Sequence, residues 1–153
     1  MISVHIIMTG LMAGIYFAFS VFIMKSLATL PATEGARAMN AINDIIVRTG
    51  FLALFFVSTL AHLGFIIWNL LHGEGLQAQL LIAAGIVYVA GMFLVTVFGN
   101  VPLNNRLKQS ENNESRLLET WREYQTAWMR LNHLRTIACT LSFILLIYAH
   151  STP

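Results

Sequence analysis

The chain contains four apolar runs, each close to the length needed to cross a bilayer, and this feature constrains the fold more than any other. A spanning helix needs ~20 mostly apolar residues to cross a hydrocarbon core about 30 Å thick. Ile2 to Met24 is the first such run, with serine, threonine and His5 as its polar interruptions. It lacks the basic leading segment of a signal peptide and exceeds the usual apolar length of one, so it reads as retained. Phe51 to Leu71 is the second span. Leu80 to Val101 is the third and contains Gly85, Gly91 and Gly99; Leu131 to Tyr148 is the fourth and shortest. The expected fold is all-α: a four-transmembrane-helix bundle forming one integral membrane domain over residues 1–153.

Composition agrees with that reading. Charged residues make up 10% of the chain, where a soluble domain carries about 25%. The single cysteine, Cys139, lies inside an apolar run. It cannot form an internal disulfide and is expected to be a buried structural thiol. The connections are uneven. His72 to Gln79 is short and polar. Lys25 to Gly50 is longer: Pro31 breaks the first helix, and Ala36 to Val47 then looks helical, with Met39, Ile42 and Ile46 on one face. Pro102 to Arg130 is the longest polar stretch, and its end forms a helical extension before the fourth span.

Basic residues give the bundle a direction. The first connection carries Lys25, Arg37 and Arg48. The third, with the start of the fourth span, carries Arg106, Lys108, Arg116, Arg122, Arg130 and Arg135. These are all 9 lysines and arginines in the chain. The positive-inside rule then makes both connections cytoplasmic and both termini non-cytoplasmic. The expected location is the bacterial inner membrane.

Unusual polar residues gather at that basic end. Asn100 and Asn104 flank Pro102 and are four apart, which puts both carboxamides on one helical face. Pro102 lacks a backbone donor and is expected to disturb the helix. Further on, Leu117, Trp121, Tyr124, Trp128, Asn132 and Arg135 follow three- and four-residue steps and form one stripe on a continuous helix. An interfacial aromatic belt accounts for Trp121 and Tyr124. Asn132, His133 and Arg135 fall where the apolar span has begun, and polar groups at that depth usually face the bundle interior or a water-filled cavity. In the first span, Gly10 and Gly14 form a small-x-x-x-small pair suited to helix packing. Phe17, Ser20 and Met24 share a face and are candidates to line the same cavity. Asn40 and Asn43 are three apart and are candidates to fold over it.

The five histidines do not suggest a metal centre. No pair has metal-site spacing, and no carboxylate lies within the spans. His62 sits ~16 Å along the axis from Phe51, deeper than His133, which argues against the two clamping one haem. No cofactor, metal or nucleic-acid partner is expected.

Three elements together carry a resemblance: Gly14-Ile-Tyr-Phe-Ala-Phe-Ser20, Asn100-Val-Pro-Leu-Asn104, and Trp128-x-x-x-Asn132-His133-x-Arg135-Thr136. They resemble the anthrone oxygenase-like family of small four-helix membrane proteins, over essentially the whole chain. The resemblance implies the four-helix fold and oxidation of anthrones to anthraquinones without a cofactor. The residues suggest how. An anthrone has an acidic methylene whose enolate can reduce dioxygen directly. His133 is the expected base. Arg135, Asn100, Asn104 and Asn132 are the expected donors to the oxyanion. Trp128 with Tyr16 or Phe17, beside Ser20 and Asn43, is the expected wall for a flat ring. Adjacent helical residues point about 100° apart. One of the pairs His133/Thr136 and Asn132/Arg135 should therefore face the cavity and the other support it. The expected partners are a hydrophobic small molecule, dioxygen and membrane lipid, with homo-oligomerisation open. The competing reading is a non-enzymatic binder of a quinone, lipid or other hydrophobic ligand, or an accessory subunit of a membrane complex.

Overall fold

The computed structural model describes residues 2–152, and within them the chain is helical almost throughout, with no strand. Five helices follow one another: α1 (Ile2–Ala28), α2 (Ala32–Ile46), α3 (Gly50–His72), α4 (Gly75–Gln109) and α5 (Glu114–Ser151). All but α2 are long and apolar enough to cross a membrane, which makes the chain an integral membrane protein. Helices suit this role because each satisfies its backbone polar groups internally where no water is available.

The four long helices close into a ring. α5 packs along both α1 and α4, α3 packs against α4, and α1 meets α3. Small residues set the close approaches. A Cβ on Gly91 would land on the Cβ of Ala138, which brings α4 onto α5. A Cβ on Gly85 would lie 2.6 Å from Ile66 Cγ1, which brings α4 onto α3. Such contacts are how helices associate in lipid, where apolar burial gives no driving force between them. Of the pair in α1, Gly10 lies against the Phe143 ring, whereas Gly14 faces open space.

The helix ends follow local chemistry. Thr49 Oγ1 accepts from the Phe51 N–H at 3.3 Å and caps α3. Asn113 Oδ1 accepts from the Arg116 N–H at 3.0 Å and caps α5. Between α3 and α4, Gly75 takes a left-handed backbone (φ 71°), so the connection shrinks to Gly73 and Glu74. It is shorter than the polar run His72 to Gln79 suggests.

Three expectations from sequence need correction. First, α4 does not stop near Pro102 but continues to Gln109. Two wide π-helical turns precede the proline, Val89–Leu94 and Thr96–Asn100. The second ends with the Val101 N–H donating to the Thr96 carbonyl five residues back. The widened turn displaces the carbonyls that the Pro102 ring would otherwise meet. Second, helix takes up more of the stretch 102–130 than the extension expected before the fourth span, since α4 runs to Gln109 and α5 begins at Glu114. α5 alone has 38 residues, roughly 57 Å at 1.5 Å per residue, so nearly half of it stands outside a 30 Å core. Third, α1 contains a π-helical turn over Phe19–Ile23. Its buried positions run Thr9, Met12, Tyr16, Phe19 and then step five residues to Met24.

α2 lies across the basic end of the bundle. Its apolar face buries Ala36 and Met39 in a cluster with Phe19, Met24, Leu107, Leu117, Trp121, Tyr124 and Trp128. Gly35 allows this, because a Cβ there would lie 2.6 Å from the Leu27 carbonyl oxygen. Lys108 of α4 ties the cap down with ion pairs to Asp44 of α2 (2.9 Å) and to Glu111 (2.8 Å).

Candidate functional site

The densest polar cluster inside the bundle surrounds Arg135, which is only 5% exposed. The continuous stripe of α5 places it there, one step beyond Trp128 and Asn132 on the inward face. Its Nη2 donates to Asn132 Oδ1 at 2.8 Å and its Nη1 to Thr96 Oγ1 at 3.3 Å. Its guanidinium carbon lies 4.3 Å from the ring centre of Tyr16 and 5.0 Å from that of Trp128. Such cation–π contacts contribute about 0.5–2 kcal/mol each. No acidic side chain pairs with Arg135 among the described residues. A buried guanidinium held only by neutral groups carries most of its desolvation cost uncompensated.

Asparagines complete the frame. Asn132 Nδ2 donates to the Tyr16 carbonyl (2.9 Å) and to Ser20 Oγ (2.8 Å), so its Oδ1 is fixed toward Arg135. Asn104 Oδ1 accepts from Tyr124 Oη (2.8 Å) and from Trp128 Nε1 (2.9 Å), which locks both rings. Asn100 Nδ2 donates to the Trp128 carbonyl at 3.3 Å. Asn100 Oδ1 and Arg135 Nε are buried with no hydrogen-bond partner, a state that costs about 1–3 kcal/mol for each group unless a ligand or water completes it.

These groups face a cavity of about 230 Å³, slightly below the ~300–1,000 Å³ typical of small-molecule pockets. Tyr16, Phe19, Phe55 and Trp128 supply aromatic wall, Arg135, Asn100, Asn104 and Thr96 the polar side, and Met39, Ile42 and Asn43 of α2 the lid. On one flank the lining residues Leu52, Phe56, Val97 and Val101 are themselves exposed on the outer surfaces of α3 and α4. α3 packs on α4 over Gly75–Leu94 and not closely on Thr96–Asn100. The cavity therefore has an apolar mouth directed sideways, where lipid would lie.

The residues singled out from sequence divide into three groups. Arg135, Asn100, Asn104, Asn43, Trp128 and Tyr16 line the cavity. Asn132 and Ser20 do not line it; Asn132 holds Arg135, and Ser20 holds Asn132. Phe17 and His133 point elsewhere. Phe17 is 57% exposed, because the α-helical part of α1 turns Tyr16 inward and so turns its neighbour out. Phe19 takes the expected ring-wall place, 5.4 Å from Trp128. His133 is also exposed, with Nδ1 at 3.0 Å from Ser20 Oγ. Of the two pairs on α5, Asn132/Arg135 faces inward, and His133/Thr136 meets Ser20 behind it. Thr96, Phe19 and Phe55 were not singled out from sequence. The three- and four-residue steps of α1 already mark Phe19, whereas nothing in the sequence marks the π turn that presents Thr96. Among the described residues, no three His, Cys, Asp or Glu side chains come together as a metal-binding group.

No match was found among curated proteins or among solved structures. A family model described as anthrone oxygenase matches residues 37–145, which include most of α2, Asn100 and Asn104 of α4 and the Trp128–Arg135 segment. With more than half of its length matched, the chain belongs to the anthrone oxygenase family.

Proposed function

We propose that the cavity binds a flat aromatic ketone of the anthrone type and promotes its oxidation by dioxygen to the quinone. The observation that carries this reading is Arg135: a buried cation without an anionic partner, walled by Tyr16 and Trp128, at the polar side of an apolar cavity. The ring system lies between Phe19, Phe55 and Trp128. Its ketone oxygen lies at Arg135, with the free side of the guanidinium toward it.

The chemistry follows from that placement. The ring methylene loses a proton and the charge moves to the ketone oxygen, where a fixed cation stabilises it more than it stabilises the neutral ketone. The enolate gives one electron to dioxygen, forming superoxide and a carbon radical. These combine through a new C–O bond into a hydroperoxide anion, which takes up a proton. The carbon then loses its remaining hydrogen as a proton while the O–O bond breaks and hydroxide leaves. In sum, ketone and dioxygen give quinone and water. Among the described residues, the cavity lining holds no imidazole or carboxylate, so Arg135 acts by acidifying the methylene, and the proton passes to water. His133 is assigned to positioning, through Ser20 and Asn132, instead of the role of base. The basic end is taken as cytoplasmic, which puts the sideways mouth at the inner leaflet, where an apolar substrate and dissolved dioxygen both concentrate.

The same apolar mouth also suits the second reading, a carrier that binds a quinone or lipid without turning it over. One assay separates the two. Purified protein is supplied with anthrone in air-saturated detergent, and dioxygen uptake and anthraquinone are followed together. Catalysis predicts equal amounts of each at a rate well above the protein-free control and lost in Arg135→Met. A rate equal to the control, with anthrone bound, would leave only the carrier.

A further inference from the structure

The cavity does not account for the outward side of the α1–α5 contact. His133 is exposed there, and its Nδ1 lies 3.0 Å from Ser20 Oγ. That contact leaves Nε2 as the outward nitrogen of the ring. A polar ring on the outer surface of a span is costly in plain hydrocarbon. Neither His133 nor its neighbours Ser20, Lys25 and Arg130 line the cavity. They are also absent from the polar hollow of about 220 Å³ that adjoins it between α2 and the end of α4.

Two cations follow the same groove toward the basic end. Arg130 stands three residues before His133 in α5, so the two share a face. On α1 the π-helical turn carries the register. Buried positions step five residues there, from Phe19 to Met24, and Lys25, five residues after Ser20, therefore keeps the side that Ser20 occupies. Both cations are exposed. The ion pairs among the described residues engage Arg106 and Lys108 and leave Lys25 and Arg130 without a carboxylate. One turn deeper than Ser20 and His133, the flanking residues Phe17 and Ile137 are exposed and apolar. From the middle of the bundle to its basic end the order is thus apolar side chains, a hydroxyl–imidazole pair, then two cations. A phospholipid lying alongside has the matching order: acyl chains, glycerol esters, phosphate.

We infer that the outward groove between α1 and α5, at the basic end, binds an anionic phospholipid. Its phosphate lies at Lys25 and Arg130, its ester region against His133, and its chains along Phe17 and Ile137. Basic grooves between spans hold anionic headgroups in this way, each lysine or arginine adding to the attraction. A zwitterionic lipid carries its own cation beside the phosphate, which offsets that attraction. A detached phosphate lacks the chains that the apolar part of the groove holds. The inference is independent of what the cavity binds.

The test is lipid retention by native mass spectrometry, with phosphatidylglycerol and phosphatidylcholine of equal chain length added to protein in detergent. The expected result is that wild type binds phosphatidylglycerol about tenfold more tightly, the size of two lysine or arginine contacts partly offset by detergent. Lys25→Gln/Arg130→Gln should bring the preference within about twofold. Arg48→Gln/Arg116→Gln, which removes the same charge from exposed positions elsewhere, should keep it. Equal affinities of wild type for the two lipids, or a preference that survives in Lys25→Gln/Arg130→Gln, would overturn the site. Equal loss in both double variants would also overturn it, by showing that net charge alone attracts the lipid. A phosphatidylglycerol with a photoreactive group beside its phosphate gives a second measurement on wild type alone. Its crosslinks should map to residues 20–26 and 129–137, and crosslinks confined to other segments would overturn the site.

Discussion

Two polar clusters are buried in this bundle, and they are built on opposite terms. Toward the end remote from the basic connections, His62 is fully enclosed. Its Nδ1 lies 2.8 Å from the Ser58 carbonyl, which can only accept, so Nδ1 carries the proton. Nε2 is then the acceptor, for Thr9 Oγ1 at 3.3 Å. The ring stacks on Tyr88 at 4.0 Å, Tyr88 meets Ser58 at 2.7 Å, and Ser142 donates to the Ala84 carbonyl at 2.9 Å. Each of these groups bonds to another across helix interfaces and none lines either hollow. Around Arg135 the pattern is reversed: Asn100 Oδ1 and Arg135 Nε are buried and unmet, in residues that line the cavity. The lesson is that polarity in a membrane span does not mark a site by itself. Unused hydrogen-bonding capacity in residues that line a cavity does. The His62 cluster reads as glue between helices, and the Arg135 cluster as the place where a ligand completes the structure.

The sharpest way to break this contrast is to exchange the expected readouts. Arg135→Met should lower kcat/KM for anthrone oxidation by about 10²–10³, the usual effect of removing an oxyanion partner. It should leave thermal stability equal or higher, since a buried unpaired charge is lost. His62→Ala should do the reverse. It should cost on the order of 2–4 kcal/mol of stability through a cavity and orphaned hydroxyls, read as a lower unfolding temperature in detergent, with turnover per folded molecule unchanged. Asn132→Leu removes the acceptor that aims Arg135 and should lower turnover about tenfold, near the worth of one hydrogen bond to a charged group. His133→Gln should have the smallest effect, within about twofold, because the ring lies outside the cavity. A loss of a hundredfold or more there would restore His133 as the base. These rates are measured by anthraquinone formation, normalised to folded protein.

Much of the fold was legible from the apolar runs. Ile2–Met24 and Phe51–Leu71 each fall inside a single helix, and the stripe from Leu117 to Arg135 is buried as its spacing predicts. Part of the misreading of helix faces has a local physical cause. Where π-helical turns insert a residue, as at Phe19–Ile23 and Thr96–Asn100, counting by 3.6 no longer tells which side chains face inward. Phe17, Ser20 and Met24 share a face only if α1 is regular, and the π-helical turn over Phe19–Ile23 makes it irregular. The site was legible in part. Arg135, Asn100, Asn104 and Trp128 stood out because their polarity or size was out of place for their depth. Whether the Asn132/Arg135 pair or the His133/Thr136 pair faced inward depended on the roll of α5, which the packing of Gly91 against Ala138 and of α1 against α5 decides.

The central claim is that Arg135 stabilises the anionic form of a ring ketone, and a spectroscopic titration tests it most directly. Anthrone bound to purified protein is titrated without dioxygen, and the absorbance of its enolate is followed. The expected result is an apparent pKa lowered by roughly one to three units relative to anthrone in empty micelles, as for an opposite charge within about 4–6 Å. Arg135→Met should return it to the micelle value. An enolate pKa that is the same in wild type, variant and empty micelles would contradict the account.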